Sequence, residues 1–137
     1  MARITAGRKA RGAMTVEAAL LFSLLLLLTF GVIEYGWAFV KTQQITNATR
    51  HAARVAVRAD AINADVETAV AALMAASGIS QGKYTLTLPG DVSQVLPGDT
   101  LTVRITVPYA NIQLAGPAFV PMPEHLEAVV TMAKEGP

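Results

Sequence analysis

From Ala18 to Ile33 the chain reads AALLFSLLLLLTFGVI, without a single charge. No other feature restricts its fold so strongly. The flanks Ala13–Val16 and Tyr35–Val40 are also mostly apolar. A helix that crosses a hydrocarbon core of ~30 Å needs ~20 largely apolar residues. Residues 13–40 supply that length, interrupted only by Glu17 and Glu34. Those acids are 17 residues apart, or ~26 Å along a helix rising ~1.5 Å per residue. They therefore fall near the two edges of the slab and not at its centre. Tyr35 and Trp37 follow at the outer edge, where aromatic belts form. Residues 13–40 are predicted to be a transmembrane anchor helix.

Charge gives the direction of insertion. The first twelve residues carry Arg3, Arg8, Lys9 and Arg11 and no acid, while the remainder holds seven cations against ten acids. The formal net charge of +1 thus averages two unlike parts. A basic tail can bind nucleic acid, but directly before a long apolar run it reads as a topogenic signal. Residues 1–12 are expected in the cytoplasm and everything past residue 40 on the far side. A cleaved secretory signal is the competing reading, with Gly36-Trp37-Ala38 as the cut and a soluble domain released. The apolar run is longer than the ~7–15 residues of a signal's core, and the helical pattern continues past Ala38. The chain has no cysteine, which excludes disulfides, thiol nucleophiles and cysteine metal sites.

Beyond the anchor, residues 41–59 contain no Gly or Pro. Ile45, Ala48, Ala52, Val55 and Ala59 recur at spacings of three and four, the mark of one apolar stripe. Arg50, Arg54 and Arg58 recur every fourth residue on another face. Anchor and stripe are expected to form one helix from Ala13 to Ala59, apolar all round in its first half and amphipathic in its second. After a break at Asp60–Asn63, a second helix capped by Asn63 should bury Val66, Val70, Leu73, Met74 and Ser77 and stop at Gly78. Three alternating runs follow, at Tyr84–Leu88, Leu101–Val107 and Leu126–Met132. The expected fold is α+β: a long N-terminal helix, a second short helix and a small three-stranded antiparallel sheet, with Ala110–Pro123 as an irregular loop. The chain divides into a basic leader (1–12), an anchor (13–40), an amphipathic continuation (41–59) and an extracytoplasmic domain (60–137).

Catalytic and metal-binding patterns are weak. His51 and His125 lack the spaced partners that a metal site needs. Glu124-His125-Leu126-Glu127 is the nearest approach to an acid–base pair, at a strand start. The glycines form no phosphate-binding loop. No enzymatic activity, metal or cofactor is expected, and no nucleic-acid partner.

The junction reads Lys9-Ala-Arg11-Gly12-Ala13-Met14-Thr15-Val16-Glu17 before the apolar run. This resembles type IV pilins and pseudopilins, whose short basic leader ends in Gly and whose mature chain has Glu at its fifth position. Thr15-Val16-Glu17-Ala-Ala-Leu, Gly31-Val-Ile-Glu34-Tyr35-Gly36 and Gln44…Asn47-Ala48…Ala52-Ala-Arg54 narrow the likeness to the TadE-like pseudopilins of tight-adherence (Tad, or Flp) pilus systems. The mature chain would begin with Ala13 where Phe or Met is common, and Ala18 stands where Phe or Tyr often follows the Glu.

The resemblance implies that a prepilin peptidase cuts between Gly12 and Ala13. The protein would then sit in the bacterial inner membrane and assemble with pilins and other pseudopilins as a homo- or hetero-oligomer. An acid inside the apolar edge is costly unless paired or protonated. The new ammonium at Ala13 of one subunit could meet Glu17 of its neighbour and so set the axial register. Glu34, with Lys41 or a neighbouring subunit as partner, and Arg50, Arg54 and Arg58 are candidate interface residues. The alternative is an uncleaved, membrane-tethered binding module.

Overall fold

The computed structural model describes residues 6–114 and 121–136. The first five residues of the expected leader and residues 115–120 of the expected loop lie outside it, as do the side chains of residues 6–11. The expected α+β architecture is present. The order is α1 (Ala6–Ala56), α2 (Asn63–Ala76), β1 (Thr85–Thr87), β2 (Thr100–Pro108) and β3 (His125–Ala133), with 3-10 turns at Val92–Gln94 and Tyr109–Asn111.

α1 is a single helix of 51 residues, ~77 Å long at ~1.5 Å per residue. It closes at Ala56, three residues before the expected end. The last carbonyls of a helix have no partner within it and favour a cation nearby. Here the Lys134 ammonium donates to Ala56 O at 3.1 Å, and Glu135 N–H donates to Val57 O at 2.8 Å. Ala59, expected on the buried stripe, lies past this closure and is exposed.

The second helix corrects a further expectation. Its N-cap is Ile62, whose N–H donates to the Asp65 carboxylate at 3.2 Å. Asn63 is not the cap. Its amide donates to Gly90 O at 2.8 Å, and its side-chain oxygen accepts from Val92 N–H at 2.9 Å. It therefore pins the start of α2 to the loop ahead of β2. The inner stripe is Val66, Val70 and Met74; Leu73 is exposed and Ser77 half-buried. The stop falls at Gly78 as expected, where φ is +73°. Gly78 N–H donates to Ala75 O and Ile79 N–H to Met74 O, each at 2.9 Å. This paired closure needs a left-handed residue, which glycine adopts without a Cβ penalty. Buried Ile79 and Met74 supply the apolar contact that accompanies it.

The sheet has order β1-β2-β3, antiparallel throughout. Alternation works as expected: Leu101, Val103, Ile105 and Val107 of β2 and Leu126 and Ala128 of β3 are buried on the helix side. The other face is wet. There Thr102 and Thr131 share a hydrogen bond of 2.8 Å, and Arg104 pairs with Glu127 at 2.8 Å. β1 is shorter than the expected Tyr84–Leu88, keeping only Thr85–Thr87 opposite Arg104–Thr106. Pro89, with no N–H for a ladder, follows closely.

β3 stands beside the C-terminal half of α1. Near its start, Glu124 O accepts from Tyr109 N–H, and the same Tyr109 hydroxyl reaches Glu34. Past its end, Glu135 meets Val57. Trp37 to Val57 is ~30 Å of helix at ~1.5 Å per residue, and Glu124 to Glu135 is ~36 Å of strand at ~3.3 Å per residue. The two rise together. Ala38, Ala48, Ala52, Ala53 and Ala56 face this layer, all buried, and their small side chains let sheet and α2 approach the helix closely.

Candidate functional site

α1 changes character at Glu34. From Met14 to Ile33 every large apolar side chain is exposed; Leu20 is 69% and Leu28 62% accessible. An 18-residue stretch has a mean hydropathy of 2.4 and is only 6% buried, so this helix is long and apolar enough to cross a membrane. Its two hydroxyls are satisfied within the helix. Ser23 donates to Ala19 O at 2.9 Å and Thr29 to Leu25 O at 2.8 Å, the arrangement that apolar surroundings demand.

Gly12, Ala13 and Glu17 lie at the N-terminal end of this bare half, all exposed. A Cβ added to Gly12 would meet nothing within 4 Å. Glycine in a helix interior costs ~0.5–1 kcal/mol relative to alanine, and no packing contact in the fold requires it here.

At the C-terminal end of the bare half the chain builds a collar. Glu34 is buried, 3% accessible. Its carboxylate accepts from the Tyr109 hydroxyl at 2.5 Å and from Leu114 N–H at 3.2 Å. Burial, then the hydrogen bond and charge of Glu34, push the Tyr109 phenol well above its ordinary range. Tyr35 donates to Pro121 O at 2.9 Å, and Trp37 Nε1 to Ile112 O at 2.6 Å. The expected Glu34–Lys41 pair does not form. Lys41 is buried beneath α2, donates to Ser77 O at 2.6 Å and lies 4.6 Å over the Trp37 ring. Lys41 and Lys134 thus do the same work, each placing an ammonium on the carbonyls that end a helix.

The other sequence candidates are scattered. Arg50 and Arg54 are exposed along the C-terminal half of α1 and Arg58 just past its end, where it lies 3.8 Å from Asp60. His51 and His125 are exposed on separate elements. Sequence reasoning missed Tyr109, Leu114 and Lys134. The first two meet Glu34 across 75 and 80 residues, and no local pattern marks such a pairing. Lys134 left one sign, a lone cation ending an apolar strand.

Comparison with known proteins picks out α1 from Gly12 onward, the bare half and most of the packed half together. Residues 12–54 match the TadE-like protein family. The TadE-like segment begins at Gly12, includes Glu17 and the whole bare half, and ends at Arg54 within α1. It does not reach α2 or the sheet. Comparison with curated proteins and with solved structures gives no match.

Proposed function

We propose that this chain is a minor pseudopilin of a Tad/Flp-type pilus or secretion apparatus, a structural component without enzymatic activity. One observation carries the reading: the TadE-like match takes in the whole of the exposed apolar half of α1 together with Gly12 and Glu17, before running on into the packed half as far as Arg54. An apolar surface this long and this exposed needs lipid or other helices around it.

In this reading the chain inserts into the inner membrane with residues 1–12 in the cytoplasm. A prepilin peptidase hydrolyses the Gly12–Ala13 amide, leaving a carboxylate on the leader and an ammonium at Ala13. The exposed, packing-free setting of Gly12 supports access at that bond. Glu17 lies four residues further along, ~6 Å up the helix at ~1.5 Å per residue. A neighbouring subunit displaced by that amount brings its ammonium level with this carboxylate. Pairing offsets the cost of holding either charge at the apolar edge and fixes the stagger. Pilins or other pseudopilins then pack on the bare half.

Mass spectrometry of the membrane-extracted protein from cells with an active prepilin peptidase tests the processing step. The expected mass lacks residues 1–12; an intact leader overturns it. Glu17→Ala should leave cleavage in place and abolish crosslinking to pilin subunits.

The uncleaved tether has one observation in its favour. The outer domain closes its core on its own α1 and needs no second chain to fold. Crosslinking unchanged by Glu17→Ala would select it.

A further inference from the structure

The two charged side chains of α1 at the outer end of the bare half are both folded inward. Glu34 is consumed by Tyr109 and Leu114, and Lys41 by Ser77 O and the Trp37 ring. From Tyr35 to Thr49 no other residue is charged. The first exposed charge above the bare half on this helix is therefore Arg50. It lies ~24 Å beyond Glu34 at ~1.5 Å per residue. What remains exposed at the exit is apolar or amphipathic: Tyr35, Phe39 and Val40 on the helix, and Leu114 from the domain, at 55% accessible.

Leu114 is held there. Its N–H is tied to Glu34, Ile112 O to Trp37, and Pro121 O to Tyr35. Both described ends of the 112–122 segment are thereby drawn to the level of helix residues 34–37, within one turn of Ile33. Met122, half-buried, follows directly. The opposite end of the domain is the reverse. Asp60, Asp65, Asp91, Asp99 and Glu135 are all exposed around the closure of α1 and the start of α2. At the end that meets the bare half, by contrast, the helix charges Glu34 and Lys41 are taken up inside.

We infer that the collar is a second membrane contact: Leu114 and Met122, with Tyr35, Phe39 and Val40, seat the outer domain on the lipid of the outer leaflet. The surface is continuous with the bare half of α1, so lipid that surrounds Ile33 also meets Leu114. Apolar side chains at this depth bury against the headgroup–acyl boundary, and the Tyr35 hydroxyl and Trp37 Nε1, already bonded to Pro121 O and Ile112 O, bring no unpaired donor to it. Lys83, Glu124 and His125 are exposed on the domain side of the collar; Asn111 reaches Lys83 O, and Glu124 O holds Tyr109. They form a polar rim that a headgroup layer accommodates. The seat fixes the domain upright on the membrane. It deepens the proposed function and rests on the part of that reading in which the bare half spans the bilayer.

The chain contains no cysteine and one tryptophan, which makes the test direct. The full chain is reconstituted in phosphatidylethanolamine–phosphatidylglycerol vesicles with one spin label at a time, through Leu114→Cys or Met122→Cys. Leu28→Cys marks the bilayer and Leu96→Cys, 68% accessible in the loop before β2, marks water. Labels at 114 and 122 should collide with oxygen more than with a polar nickel chelate, with nickel access several-fold below that at 96. Nickel access equal to that at 96, with Leu28→Cys still in lipid, overturns the seat alone. Leu28→Cys in water overturns the membrane reading beneath it. Independently of any variant, lipids brominated near the headgroup should quench Trp37 in the unaltered chain. Quenching by aqueous acrylamide with none by lipid also overturns the seat.

Discussion

The two halves of α1 share one backbone and differ in who covers them. Below Glu34 the helix is wrapped in Leu and Phe side chains that stay exposed; above it, a seam of alanines with Ile45 is sealed under α2 and the sheet. Both halves are apolar, so hydrophobicity alone does not decide which is packed internally. Side-chain size and interruption do. Large side chains on every face leave no flat side for a sheet, and their surface can be satisfied only by a surrounding medium. Alanines on one face and Gln43, Asn47, Arg50 and Arg54 on the other give a side to bury and a side to wet. The collar marks the switch, because Glu34 there stops facing outward and is taken up by the domain.

The sharpest way to break this contrast is a matched pair of truncations. Ile45→Ala removes one of the largest fully buried side chains and should cost about 2–5 kcal/mol of domain stability. Leu25→Ala, in the bare half, should change it by less than about 0.5 kcal/mol. Denaturant unfolding in mild detergent reads both, and equal losses would mean that the halves are not energetically distinct. A smaller effect tests the alanine seam. Ala52→Leu adds bulk at a position with no accessible surface and should cost about 1–3 kcal/mol by forcing helix and sheet apart. An unchanged unfolding midpoint would show that close approach is not what the alanines provide.

The same contrast explains what could be read without coordinates. Periodicity is a local signal, so the anchor, the stripe from Ile45, the inner face of α2 and the alternation of β2 and β3 were all legible. The Gly12–Glu17 spacing was legible for the same reason, being five residues long. Capping was read one step out of place, because Asn63 prefers the Gly90–Val92 backbone to its own helix. The end of α1 was misjudged because Lys134 and Glu135, nearly 80 residues later, close it. Glu34 was seen as an acid at a membrane edge, yet its partners Tyr109 and Leu114 come from a turn whose own sequence says nothing of helices. Contacts of that range depend on the tertiary arrangement, which single-residue patterns do not encode.

The smallest effect concerns the collar itself. Tyr109→Phe deletes one donor to the Glu34 carboxylate and leaves Leu114 N–H in place, so the cost at neutral pH should be about 1.5 kcal/mol, the low end for bonds to charged groups. Alkali adds a signature that packing alone would not produce. The Tyr109 phenol is held above its ordinary value in the folded chain. Its contribution is complete below about pH 10, the unfolded value, and fades as pH rises through and beyond it, because the unfolded chain loses that proton first. Tyr84, raised by burial and by Glu67, behaves likewise but is present in both chains and drops out of the difference. Unfolding midpoints of the unaltered protein and Tyr109→Phe, measured from pH 7 to 11, should therefore converge as pH rises. A constant gap across that range would mean that the hydroxyl is not bound to Glu34, and that the helix leaves its bare half without the collar described here.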